Sequence, residues 1–482
     1  MTTSLAKSVA VQGVGRSARR CLGLAVALGL LGIARPAEAQ GWLADRKFTQ
    51  GPGIRTGDFE LHPGIGGEVG YDSNWFLRSS TEGPNIVNGG PNLPPQSAVV
   101  FRVTPSFSFS TLTNERLTDG GQRVEPRLIT FRAGASATAR FFIGDGFSNQ
   151  HNVGLNADAR LDIAAGRPLA FGVFGGFNRI VQPQVLADPN LAFTRNDIRV
   201  GGEVTATPGG GTFDVRALYQ LNASLYETSN GAPFSSITHE VIVRDRWKFR
   251  PRTALFSDVS LRFINYPEAQ RATFLLSDST PLRTRIGISG LVTQRFGVLA
   301  AVGYGATFFK DPTLPSSVQF DSITGQAEGT FYLGQGPATD SPGEATLLLS
   351  SVSLGFARDF QTSLLGNFYN YNRLYARLEY WFGGRVLVNL TGYGEQLNYP
   401  PAFSTLTTAL VPNEFTNYRV GGALFAEYRF TQAFAINTTL DYSQQISDTQ
   451  LPASTPAGFT QTGVFDLNYR RFQAFLGVRY FY

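Results

Sequence analysis

The side chains best suited to chemistry in this 482-residue chain are three histidines and a large set of arginines and carboxylates. His62, His151 and His239 stand far apart, and no H-E-x-x-H or G-x-S-x-G motif surrounds them. Without a nucleophile, a base and an orienting group, the sequence predicts no catalytic site. Cys21 is the only cysteine and falls in an apolar N-terminal segment, which excludes disulfides and thiolate metal sites from the rest of the chain. We also predict no other metal site and no cofactor.

The charged residues follow the two-residue period of β-strands. In residues 152–163, apolar residues from Val153 to Ile163 alternate with polar residues that include Asp158 and Arg160. A period of two places these charges on one face of a strand and the apolar side chains on the other.

The polar faces of such segments carry charged residues that we predict to line an interior. Rings of arginines can select anionic solutes, whereas arginine–carboxylate networks can brace a polar interior. Because aspartates and glutamates lie among the arginines, we favour the bracing role and keep both interpretations. The candidate lining residues are Arg132, Arg140, Asp158, Arg160, Asp162, Arg262, Arg283, Arg285, Arg373, Arg377, Glu379, Arg419, Glu427 and Arg429.

The composition fits strands with one apolar and one polar face. Charged residues make up 16% of the chain, against roughly 25% in globular proteins, whereas aromatic residues reach 13%. The mean hydropathy is −0.08, and beyond residue 34 no apolar run approaches the roughly 20 residues of a membrane helix. These averages favour transmembrane β-strands over a multidomain soluble enzyme.

Eighteen alternating segments within residues 59–482 predict an all-β, antiparallel, up-and-down transmembrane barrel. Short turns such as 208–211 alternate with long connections such as 183–194, which matches periplasmic turns and outer loops. Closure is expected because an open sheet edge in hydrocarbon leaves backbone groups unpaired. Two links on the periplasmic side, 113–126 and 335–343, are longer than expected, so sixteen strands is the alternative count.

Residues 1–39 have the features of a cleaved signal peptide, with Ala37 and Ala39 forming an A-x-A cleavage site. Its removal leaves 36 basic and 35 acidic residues of the original 41 and 36, so no nucleic-acid partner is predicted. Residues 40–58 are expected to form a periplasmic lead-in segment, followed by the barrel at 59–482.

The chain ends in "FLGVRYFY", residues 475–482, which predicts a closing strand. We expect its aromatic residues to lie in the girdle at the membrane interface. The ending resembles the C-terminal signature of bacterial outer-membrane barrels, which implies two partners: outer-membrane lipid and the barrel-assembly machinery. The residues of this assembly signal are Ala474, Leu476, Val478, Tyr480 and Tyr482.

The stretch "GEVGYDSNWFLRSS", residues 67–80, contains a Y-D-S-N element at positions 71–74. It resembles the opening of the beta-barrel porin 2 family. The resemblance implies an outer-membrane pore, and some relatives look like components of polysaccharide-export clusters, which implies periplasmic export partners. We favour a turn-forming role for Asp72, Ser73 and Asn74 over ligand binding.

Three functions follow from these patterns. The first is a porin-like channel for hydrophilic or anionic solutes or for polysaccharide export, with residues 75–96 as an inward constriction. The second is a closed structural or adhesive surface barrel that works through its outer loops. An outer-membrane enzyme is the third and least favoured. The alternative that residues 40–58 plug the barrel is also kept.

Overall fold

The structure is a computed structural model in which parts of the chain can be described. The described residues are 51–80, 94–111, 127–182, 194–227, 232–268, 277–310, 320–333, 350–363, 367–382, 385–400, 402–404, 409–411, 414–448, 450–453 and 463–482. The predicted signal peptide with Ala37 and Ala39 lies outside them, as do both long links that left the strand count open. Within the described residues, no helix is long and apolar enough to cross a membrane.

Strands of 12 to 16 residues form the barrel, and short strands accompany them at its two ends. Their bounds are β1 Ile54–Thr56, β2 Phe59–Asp72, β3 Ala98–Thr111, β4 Ile129–Ile143, β5 Asn152–Ile163, β6 Leu169–Ile180, β7 Arg195–Ala206, β8 Phe213–Tyr226, β9 Ser236–Arg250, β10 Thr253–Asn265, β11 Ser279–Leu291, β12 Phe296–Phe309, β13 Phe320–Tyr332, β14 Ser351–Ser363, β15 Asn367–Phe382, β16 Val386–Tyr399, β17 Ala402–Ser404, β18 Ala409–Val411, β19 Phe415–Arg429, β20 Phe434–Ser447, β21 Gln450–Ala453, β22 Gly463–Asp466 and β23 Tyr469–Phe481.

The long strands pair antiparallel with their neighbours in chain order, and the last of them pairs with the first. Strand β2 pairs on one side with β3, where Asp72 faces Ala98, and on the other side with β23, where Gly64 faces Phe481. This closes a ring of β2 to β16, β19, β20 and β23. The predicted antiparallel barrel of eighteen strands is therefore confirmed.

The two ends of the barrel differ in their connections. At the end where the chain enters β2 and leaves β23, called here the terminal end, short turns join β5 to β6 and β9 to β10. Residues 209–211 make such a turn, with positive φ angles that glycine adopts without strain. At the opposite end, called the loop end, longer connections carry the small hairpins β17–β18 and β21–β22.

The barrel wall separates apolar from polar side chains by the strand alternation. Leu354, Leu374 and Leu476 stand exposed on the outer face, as do many other large apolar residues. A strand of 13 residues rises about 3.3 Å per residue, so at a tilt near 40° it spans roughly 30 Å. That length matches the hydrocarbon core of a bilayer.

One ladder ends early at the loop end. Strand β12 pairs with β13 up to Thr307 and Phe320, but β13 pairs with β14 only up to Gly325 and Arg358. Strand β14 nevertheless continues to Ser363, paired with β15 alone. The ends of β14 and β15 therefore leave the wall as a two-stranded hairpin.

Candidate functional site

Three adjoining cavities of about 860, 360 and 350 Å³ lie along the inner wall from β4 to β16. The first and second share Glu240 and Arg262, and the second and third share Arg285 and Tyr371. The inner wall therefore carries one continuous strip of space lined mainly by polar side chains.

Positive charge prevails along this strip by a small margin. Its lining includes eleven arginines, which are Arg132, Arg160, Arg199, Arg216, Arg244, Arg262, Arg283, Arg285, Arg358, Arg373 and Arg377. It also includes five carboxylates, which are Asp158, Glu203, Glu240, Asp258 and Asp359. Four further carboxylates pair with these arginines from beside the cavities, and they are Asp162, Asp214, Glu328 and Glu395.

Glu240 is the centre of one bracing network. Its buried carboxylate accepts hydrogen bonds from Arg262 at 2.7 Å, from Ser260 at 3.2 Å and from Gln220. Charge-assisted bonds of this kind hold neighbouring strands in register and satisfy a buried charge.

The predicted lining residues fall into several further contacts. Arg160 donates to Asp162 at 2.8 Å and also contacts Glu203. Arg283 donates to Asp359 at 3.1 Å, and Arg285 contacts Asp258.

The second half of the barrel holds the remaining predicted pairs. Arg373 contacts Glu395, and Arg377 reaches Glu328 at 3.4 Å. Arg419 donates to Gln445 at 2.9 Å. Glu379 is exposed and lies on the same face of β15 as Arg373 and Arg377. In the first half, Arg140 donates to Asn152 at 3.2 Å.

Three arginines along the strip differ from the rest. Within the described ranges, no carboxylate lies at ion-pair distance from Arg132 or Arg199, and Arg358 donates to Asn372 and to the carbonyl of Ile323. The guanidinium of Arg199 lies 5.6 Å from the ring centre of a phenylalanine instead. These arginines give the strip its surplus positive charge.

Glu427 and Arg429 form a buried pair at the terminal end. Arg429 donates to Glu427 at 3.0 Å, and Arg479 donates to the other oxygen of the same carboxylate at 2.9 Å. The ring of Phe481 lies within 5.3 Å of both guanidinium groups. These residues brace the closing strand.

The C-terminal assembly-signal residues share one face of β23, and two further aromatic residues of the ending lie on the other face. Leu476, Val478 and Tyr482 are exposed on the outer face, where the girdle is expected. Phe475 and Phe481 are buried on the inner face, so the expectation that all the terminal aromatic residues lie in the girdle is wrong. Arg102 lies 3.4 Å from the ring of Phe475, and only the register between distant strands reveals this inner stacking.

The histidines occupy three separate places. His62 is buried 3.4 Å from Glu60 near the terminal end. His151 accepts a hydrogen bond from a backbone N–H at 3.1 Å, and His239 contacts the Tyr219 hydroxyl at 2.7 Å on the outer face. Among the residues the structure describes, no group of three His, Cys, Asp or Glu side chains is placed to hold a metal ion.

The Y-D-S-N element forms a turn at the loop end. Asp72 accepts a hydrogen bond from Arg471 at 3.1 Å and from the backbone N–H of Asn74 at 3.0 Å. The Asn74 side chain donates to the carbonyl groups of Arg78 and Arg470. These contacts support the turn-forming interpretation.

The residues that follow this turn fold onto the inner wall, and we call residues 73–79 the inner segment. Trp75 packs against Phe142 with ring centres 4.8 Å apart, beside the buried Phe475. Leu77 is buried and has a φ of 47°, which few residues other than glycine adopt. The start of the predicted constriction at 75–96 thus lies inside the barrel, while residues 81–93 fall outside the described residues.

Arg78, next to this turn, is partly withdrawn from water. Burial of its guanidinium lowers the pKa of Arg78 from its ordinary value. Its charge lies 4.4 Å from the ring centre of Phe76, which offsets part of the loss of hydration.

A second element, from strands β14 and β15, also folds into the lumen at the loop end, and it was not predicted from the sequence. We call residues 359–363 and 367–369, at the ends of β14 and β15, the inward hairpin, because residues from Asn370 onward pair with β16 in the wall. Its Phe360 packs against Phe320, with ring centres 4.6 Å apart, on the inner side of β13. A fourth cavity, of about 220 Å³, is lined by Gln361 and by residues of β7 to β9, which include Arg195.

No protein family model matches the sequence, and no curated protein matches it. Among solved structures, OpdK of Pseudomonas aeruginosa with vanillate is similar, at 9% identity and a TM-score of 0.44, over 88% of this chain and 99% of that chain. A BenF-like porin from Pseudomonas fluorescens Pf-5 has 8% identity and a TM-score of 0.43, over 88% and 99%. The siderophore receptor PirA from Pseudomonas aeruginosa has 10% identity and a TM-score of 0.39, over 88% and 80%. Scores at this level carry no argument about activity, and the resemblance to the beta-barrel porin 2 family stays a prediction.

Proposed function

We propose that this chain is an outer-membrane, porin-like channel that passes small hydrophilic solutes with a weak preference for anions. The observation that carries the proposal is the continuous polar strip inside a closed barrel whose outer face is apolar. The terminal end would face the periplasm, because bacterial barrels place their short turns there.

The weak anion preference follows from the charges on the strip. Most of its arginines pair with carboxylates, and a paired charge attracts a passing ion less than an isolated one. Arg132, Arg199 and Arg358 supply the surplus. An anion in the strip would exchange part of its hydration for these guanidinium groups.

Passage of a polysaccharide chain and docking to periplasmic export partners stay predictions from the family resemblance. The proposed small-solute channel requires neither. The same holds for contact with the barrel-assembly machinery, for which the outer-face residues from Ala474 to Tyr482 are the candidates.

The test is conductance of the refolded chain in a planar bilayer, with reversal potentials recorded in a salt gradient. We expect steady openings and a modest anion preference. The double variant Arg132→Ala with Arg199→Ala should lower that preference, while Lys310→Ala, which removes a charge from the exposed loop end, should leave it unchanged. A folded barrel that carries no current would contradict the channel and favour the structural surface barrel.

A further inference from the structure

We propose that the inward hairpin is the constriction of this channel and that the Arg283–Asp359 ion pair latches it over the lumen. The inference rests on the proposed channel function and adds the element that sets its conductance and size limit. Four steps lead to it: the ladder between β13 and β14 ends early, the hairpin packs on the inner wall, a glycine leaves room for its ring, and an ion pair holds it in place.

The first step is the separation of the two backbones. Beyond Gly325, toward the loop end, β13 is no longer paired with β14, and Arg358 lies where the two strands separate. Its guanidinium donates to the Ile323 carbonyl at 3.2 Å and to the Ser322 hydroxyl at 3.2 Å. A side chain thus satisfies backbone that the ladder leaves open, so the separation is a built feature of the wall.

The second step is the direction in which the hairpin faces. Val352, Leu354 and Phe356 are exposed on the outer face of β14, and the two-residue period would place Phe360 there too. Phe360 is instead 2% exposed and packs with Phe320 from the inner face of β13. The outer face of the hairpin therefore lies on the inner wall of the barrel, which requires the hairpin to bend into the lumen.

The third step is the room that the wall provides. A Cβ placed on Gly305 of β12 would lie 2.3 Å from the Phe360 ring and 3.2 Å from Thr324. Only glycine at this position lets the ring approach the backbone so closely. Phe309 and Phe368 complete the apolar contact around the ring.

The fourth step is the latch. Arg283 of β11 donates to the Asp359 carboxylate at 3.1 Å and also contacts the Phe360 carbonyl. Its guanidinium lies 4.3 Å from the centre of the Phe360 ring. One arginine thus ties the hairpin to a strand three positions along the wall.

The reach of the hairpin places it in the solute path. Gln361 and Thr362 line the second cavity together with Glu240 and Arg262, and the fourth cavity together with Tyr226. A solute that moves from the loop end into the polar strip along this side passes the hairpin. We therefore expect the hairpin, rather than the barrel wall, to set the narrowest section.

The experiment measures single-channel conductance and the size of the largest polyethylene glycol that still enters the pore. Asp359→Ala opens the latch, and Gly305→Leu fills the place of the Phe360 ring. Because conductance follows the narrowest section, we expect each variant to raise it roughly two-fold and to admit larger polymers. The exchange of Arg283→Asp with Asp359→Arg should return both values toward those of the native chain.

Two matched variants separate the latch from general effects. Asp145→Ala also removes a carboxylate, from the exposed connection between β4 and β5, and Gly67→Ala also adds a methyl group to a strand glycine, with nothing within 4 Å of the new atom. Both should conduct as the native chain does.

Open native pores with unchanged values in Asp359→Ala and Gly305→Leu would overturn the constriction and leave the channel intact. Current that appears only in these two variants would support the constriction and contradict an open native pore. Folded barrels that carry no current in any variant would overturn the channel, and the constriction with it.

Discussion

The inner segment and the inward hairpin both fold into the lumen from the loop end, but they are anchored differently. The start of the inner segment is held by Asp72, the last residue of β2, which is 1% exposed and accepts bonds from the Asn74 backbone N–H and from Arg471 and Gln473 of the closing strand. The hairpin is tied by Arg283 and Asp359, whose side chains remain 18% and 28% exposed. Water competes for the second anchor far more than for the first.

This difference separates a fixed part of the wall from an element that can move. A buried carboxylate that loses its partner leaves an uncompensated charge, which is costly. A partly exposed pair can break and be solvated at a smaller cost. We therefore assign the inner segment to barrel stability and the inward hairpin to control of the pore.

Trp75→Ala should have the largest effect on stability. It removes an indole that packs against Phe142 in a buried cluster with Phe147 and Phe475, and such truncations cost about 3–5 kcal/mol. The measurement is urea unfolding of the refolded barrel, with Trp42→Ala in the predicted lead-in segment as the control. A loss below about 1 kcal/mol would show that the inner segment is not part of the packed wall.

Asp72→Ala should follow closely. It leaves Arg471 without the buried carboxylate that accepts its two donor groups, at a cost of about 3 kcal/mol. The exposed Asp145→Ala serves as the matched control in the same unfolding series. Equal stability of the two variants would remove the contrast between the two anchors.

Asp359→Ala should have a small effect on stability, below about 1 kcal/mol, because its ion pair is partly hydrated. Its effect on the pore should be the larger one. Urea unfolding and conductance measured on one preparation compare the two directly. A stability loss as large as that of Asp72→Ala would place the hairpin with the fixed wall.

The smallest effect concerns Glu227 at the loop end, just beyond β8. Two hydrogen bonds from Arg179, at 2.6 and 2.7 Å, hold the pKa of Glu227 below its ordinary value. A lowered pKa in the folded state stabilises above the unfolded pKa, and this is lost as the pH falls through the folded value. The native chain should therefore exceed Glu227→Gln in stability by a few tenths of a kcal/mol at pH 7 and lose that advantage below about pH 4. An advantage that persists in acid would contradict the pairing.

The sequence carried enough information for the barrel because the two-residue period is local. Alternation within stretches such as 152–163 marks each strand, and the counting of turns gives eighteen.

The inward hairpin could not be predicted because its apolar period does not distinguish lipid from the inner wall. Phe356 and Phe360 follow each other in the same phase, yet one faces outward and the other packs against Gly305. That choice depends on residues about fifty positions apart in sequence. Phe475 and Phe481, by contrast, share the phase of Arg479 and so the inner face, but their stacking partners Arg102 and Arg429 come from other strands and could not be read from the pattern.

The charged lining was predictable in place but not in partnership. The alternation assigned Arg262 and Arg283 to the polar face, but their partners come from other strands. Glu240, the centre of a network, lay outside the predicted set although it shares the inner face of β9 with Arg244. Pairing therefore decides which arginines remain available to solutes.

The most direct test of the proposed channel is the reversal potential of the refolded native chain in a planar bilayer under a salt gradient. We predict steady current with a modest preference for anions, set by the surplus arginines of the inner strip. A preference for cations, or no current from a folded barrel, would contradict it.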